Sequence, residues 1–153
     1  MKGFTKSNDR PDLTAFHYPV SYREGENKGN SVSIFEFKRP GRFDFTNSGS
    51  RDDPIAQIIR YARQMHEGNA KTPAGKDIQI ADTTPFYGYV IASANGEIQK
   101  WLEQEKNMKH TPDGDGWYCY HDSLNLKIEY ITWDKLLRDA QLRHRVFFEK
   151  LGL

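Results

Sequence analysis

The sequence predicts an α/β (α+β) fold in which a mixed β-sheet is flanked by helices. Three observations carry that prediction. Short apolar runs of strand length alternate with segments of helical period, which is the pattern of a layered sheet and helices. A proline-led helix start, Asp52-Asp53-Pro54, separates two strand runs from a third. A final pair of strand-like runs around residues 117–131 precedes a long helical pattern, which adds a C-terminal hairpin and helix.

Each element follows from local chemistry. "LTAFHYPVSY", Leu13–Tyr22, is entered from Pro11-Asp12 and reads as a strand, and "REGENKGNS" after it as a hairpin loop. "VSIFEFK", Val32–Lys38, is the second strand. It ends at Arg39-Pro40-Gly41, because proline has no N–H to give a ladder. "RFDFTNSGSRD" is a loop that delivers Asp52 or Asp53 as a cap and Pro54 to the first turn of a helix. Ile55, Ile58, Ile59, Ala62 and Met65 recur at helical spacing, and Gly68-Asn69 stops the run. A short strand is expected at Ile78–Ala81, a buried strand at Phe86–Ser93 and a short helix at Gly96–Lys106. "WYCYHDSLNLKIEYI" reads as a hairpin bending at His121–Asn125. Thr132 then caps a helix that carries Trp133, Leu136, Leu137, Ala140 and Phe147.

Composition bounds the function classes. The 153 residues suit one domain with a real core. Lys plus Arg number 22 against 21 Asp plus Glu, so a nucleic-acid surface must be a local groove and not a global charge. A single cysteine, Cys119, excludes an internal disulfide framework and favours a reducing, cytoplasmic setting. No run approaches the roughly 20 apolar residues of a membrane helix, so no membrane partner is expected. With one cysteine, Cys119-x-His121 does not make a zinc site. His17 reads as a packed or surface histidine, and neither a glycine-rich phosphate loop nor a Ser-His-Asp pattern is visible.

Chemistry concentrates at "SIFEFKRPGR", Ser33–Arg42. Side chains two apart on a strand leave the same face, so Glu36 and Lys38 point together. Phe35 and Phe37 then point the other way, into the expected core. A carboxylate beside an ammonium can hold a cation and a water, but hard Mg²⁺ needs a second oxygen donor, and Asp12 can supply it across an antiparallel hairpin. On the helix, Gln57, Arg60, Tyr61 and Gln64 are expected to share a polar face opposite the isoleucine stripe, turned toward substrate. Arg39, Arg42, Arg51, Arg60 and Arg63 crowd the same region, offset by Asp44, Asp52 and Asp53. A solvated mixed surface and a phosphate-contacting rim that includes Arg39 and Arg42 are about equally supported.

These residues carry a resemblance. Pro11-Asp12, then Glu36-Phe37-Lys38 after a loop, resembles the PD-(D/E)XK signature of restriction-endonuclease-like nucleases. Gln57-Ile-Ile-Arg-Tyr61 resembles the Q-x-x-x-Y motif of their RecB-type branch. The likeness spans about residues 11–93. It implies Mg²⁺ (or Mn²⁺) held by Asp12, Glu36 and the Phe37 carbonyl, with Lys38 orienting the attacking water. Gln57 and Tyr61 would steady the site, and the substrate would be the phosphodiester backbone of DNA. "TTPFYGYVIAS" and "WDKLLRDAQLRHRVFFEKLGL" are similar in texture to the ends of large bacterial defence proteins with a GHKL-type ATPase region upstream. That implies one nuclease-like domain of a longer protein, acting with an ATPase region. Two other function classes stay open: a non-catalytic DNA-binding or assembly module of the same fold, and a metal-dependent enzyme acting on RNA or a nucleotide. Trp133, Phe147 and Phe148 are expected in the core. Left unburied, Phe147, Phe148, Leu151 and Leu153 would form an apolar patch for a partner or a second copy in a homodimer.

Overall fold

A computed structural model describes residues 11–17, 31–47, 51–71, 75, 77, 78 and 80–152. Within these, six strands form one mixed sheet in the order β1-β2-β3-β6-β5-β4. The strands are β1 Leu13–His17, β2 Ser31–Phe37, β3 Phe86–Ala92, β4 Lys109–His110, β5 Gly116–His121 and β6 Leu126–Thr132. The helices are α1 Pro54–His66, α2 Gly96–Lys100 and α3 Trp133–Leu151. β2, β3 and β6 run parallel, while β1, β5 and β4 pair antiparallel to their neighbours. The α+β class with a mixed sheet and flanking helices is therefore the observed one.

The expected helix start at Asp53-Pro54 forms as read. Asp53 accepts from the Ile55 and Ala56 amides, while Pro54 fills a first-turn position that has no amide bond to lose. Asp53 is also buried and ion-paired with Lys106, so one carboxylate fixes both the helix start and the α2 region. Thr132 caps α3 through the Lys135 amide. α1 crosses β2, β3 and β6, and its buried stripe packs on Val32, Ile34, Phe86, Val90, Leu126 and Ile128. That approach is so close at β3 that a Cβ on Gly88 would lie 2.5 Å from the Cγ2 of Ile58.

Several expectations are corrected. The core lies on the face of Val32, Ile34 and Glu36, because α1 covers that side. Phe35 and Phe37 therefore point away from it, Phe37 exposed and Phe35 half-buried, toward an apolar groove shared with Leu13, Tyr87, Tyr89 and Ile131. Tyr61 sits on the buried stripe with Ile58, Ala62 and Met65, and Ile59 is displaced to half-burial. A position three after Ile58 and four before Met65 falls between them on the helix surface, which explains the swap. None of α3's described residues is buried, and Phe147 and Phe148 are exposed.

The strand expected at Ile78–Ala81 is not assigned at its described residues, and a single bridge joins Lys71 and Asp77 instead. The helix from Gly96 begins as α and continues as a π-helix over Trp101–Glu105. β4 was not anticipated. Residues 18–30 and 153 lie outside the described residues, and Ser31, expected at the end of the hairpin loop, opens β2.

Candidate functional site

The sheet register builds the site. Leu13 pairs with Phe35, so the preceding residue, Asp12, stands beside the end of β2 that carries Glu36. Asp12 is fixed there by its own acceptor: Oδ2 takes the Phe37 amide at 2.7 Å. Glu36, on the helix-covered face of β2, is only 4% exposed. Lys38 follows one residue beyond β2 on the same face and is 6% exposed. Its backbone is tied to the sheet, since its amide donates to the Ile91 carbonyl at 2.9 Å.

The two charged side chains meet. Lys38 Nζ lies 3.3 Å from Glu36 Oε1 and donates to Gln57 Oε1 at 2.9 Å. Gln57 is thus brought to the Glu-x-Lys strand by α1. Glu36 Oε2 is buried and has no hydrogen-bond partner among the described residues. Burial, with the nearby negative charge of Asp12, raises the Glu36 pKa to about 7, and Lys38 together with the Asp12 backbone amide offsets part of that rise. An orphaned carboxylate oxygen in a buried, electronegative corner is costly unless a cation or a proton meets it.

The other predicted residues are placed less centrally. Tyr61 is fully buried beneath the site's helix and not on its solvent side. Arg60 is half-buried, its guanidinium carbon 5.9 Å from the Tyr61 ring centre. Gln64, two turns along α1 from Gln57, has a buried Oε1 without a partner among the described residues. Arg39 is exposed on the loop after β2. Arg42 is held by two acids, Nε at 2.6 Å from Asp44 and Nη2 at 2.8 Å from Asp52. Those hydrogen bonds raise the Arg42 pKa and lower that of Asp44. The two acids engage Nε and Nη2, two of the nitrogens that carry the five N–H donors of the guanidinium.

Sequence reasoning missed one neighbour. Trp133, the first residue of α3, donates from Nε1 to the Lys38 carbonyl at 2.8 Å, and its ring stacks on Phe37 with centres 6.1 Å apart. No local signal could have found this contact, because the partners are separated by 95 residues.

The donor set can be weighed against the cation it would take. Two carboxylates on paired strands, one of them with a buried free oxygen, fit an ion that needs few protein oxygens and keeps waters or phosphate in its shell. Among the described residues, no group of three or more His, Cys, Asp or Glu side chains could hold a metal. A zinc-type or calcium-cage site is thus not assembled by them. Among the described residues no helix is long and apolar enough to cross a membrane. No protein-family model, curated protein or solved structure matches the chain.

Proposed function

We propose that the chain is a metal-dependent nuclease domain that hydrolyses phosphodiester bonds of DNA at Asp12, Glu36 and Lys38. The observation that carries this reading is the partnerless, buried Oε2 of Glu36, set beside a lysine whose ammonium is already oriented. Asp12 and Glu36 would hold Mg²⁺ or Mn²⁺, with the Phe37 carbonyl as a further ligand. When bound, such an ion supplies Lewis acidity and lowers the pKa of a water.

The chain's own residues do the remaining work. Hydrolysis forms one P–O bond to water and breaks one P–O ester bond, while negative charge builds on the phosphate oxygens. Lys38 is held by Gln57 and Glu36 in a single direction, so its N–H groups can orient the water and offset that charge. Gln57 acts by aiming Lys38. Tyr61 contributes by packing α1 against the sheet, which sets the distance of Gln57 from Lys38. Arg39, Arg42 and Arg60, with Gln64, are the candidates for contact with the DNA backbone.

The test is cleavage of supercoiled and linear DNA with Mg²⁺ or Mn²⁺, by the protein and its Lys38→Ala variant. Cleavage that chelator abolishes, and that falls at least about a thousandfold in the variant, supports the reading. DNA binding without cutting under either ion would instead favour a non-catalytic module of the same fold.

A further inference from the structure

We propose that Trp133 is a positioning residue for this site, so that α3, remote in sequence from the nuclease-like motifs, belongs to the same working unit. The inference rests on the nuclease reading for its catalytic consequence and on geometry for the rest. Lys38 lies one residue past the end of β2, where ladder bonds run out and a chain end is free to fray. Its backbone has two ties there. The amide donates to Ile91, and the carbonyl accepts from Trp133 Nε1 at 2.8 Å.

The indole also stacks on Phe37, at 6.1 Å between centres and 26° between planes. Phe37 is the residue whose amide holds Asp12. A single side chain therefore braces the peptide segment whose two faces present Glu36 and Lys38 to one side and the Asp12 anchor along its edge. Trp133 itself is fixed by the Thr132 cap and by Lys135, whose ammonium pairs with Asp113 at 2.6 Å and Asp139 at 3.2 Å. Phenylalanine at 133 would keep the stack and remove the donor.

Amide hydrogen exchange and DNA cleavage in Trp133→Phe test this together, with Leu136→Ala as a control that removes α3 packing without touching Lys38. Exchange at the Phe37 and Lys38 amides should quicken about tenfold relative to Val32 at the far end of β2, the factor expected for one lost hydrogen bond. The ratio should not move in Leu136→Ala. The kcat should fall by a similar factor with KM unchanged. If Trp133→Phe does not fold, Trp133→His, which keeps a ring N–H, takes its place and should leave the ratio closer to wild type than Trp133→Ala does. Phe37 and Lys38 quickening only in step with Val32, or equally in the control, overturns the proposal, as does a raised ratio with an unchanged kcat. Should the wild type cut no DNA with either ion, the nuclease reading fails while the exchange ratio still decides whether Trp133 braces the strand.

Discussion

Glu36 has to satisfy two opposed demands, and its pH behaviour separates them. An unfolded glutamate titrates near 4.5, whereas here the midpoint is raised to about 7, chiefly by burial. Between those values the folded chain holds the proton more tightly than the unfolded one, so folding is favoured at the acid end and stability is lost as pH rises toward 7. The size is about 3 kcal/mol as an order of magnitude. Melting temperature in metal-free buffer should therefore fall as pH rises from about 5 to about 8, and Glu36→Gln should flatten that slope and be the more stable form at pH 8. An unchanged slope in the variant would assign the pH dependence to other groups. The neighbouring Gln57 gives a second prediction. Gln57→Leu removes the 2.9 Å bond from Lys38 Nζ and leaves its 3.3 Å contact with Glu36, so cleavage should drop about ten- to a hundredfold while the fold persists.

At the scale of elements, parity was legible and coverage was not. Alternation along β2 fixes that Glu36 and Lys38 share a face with Val32 and Ile34, and the hairpin register brings Asp12 to them as expected. Which face a helix would cover is decided by where α1 lands. The two phenylalanines drew the expected core to the wrong side. Tyr61 was misplaced for a related reason: a motif position with a polar tip still lies on the buried stripe when its neighbours at three and four residues do. Truncation follows core rules accordingly, and Tyr61→Ala should cost about 3–5 kcal/mol in denaturant unfolding. A loss under 1 kcal/mol would mean the side chain is not packed as described. Gly88→Ala should cost about 1–3 kcal/mol, because the new methyl meets the stiff, buried Ile58. The capped starts at Asp53 and Thr132 were readable because caps are local chemistry. The two-residue β4 and the π-helical turn at Trp101 depend on tertiary neighbours and left no such mark.

Across the whole molecule, the structure joins two stretches that the sequence presents separately. Asp12, the Glu-x-Lys strand and Gln57 come from the first half, and β6 delivers Trp133 back onto the Lys38 carbonyl. The last turns of α3 stay outside this arrangement, with Phe147 and Phe148 turned to solvent. Substituting Phe147→Ser should accordingly change stability by under about 0.5 kcal/mol. The central claim is that Asp12 and Glu36 together hold a divalent cation, and calorimetric titration with Mn²⁺ at pH 8 tests it most directly. The protein should bind one equivalent, with binding lost in Glu36→Gln and in Asp12→Ala and weakening as pH falls through about 7. Equal binding by all three forms, or no binding by the unsubstituted protein, would contradict it.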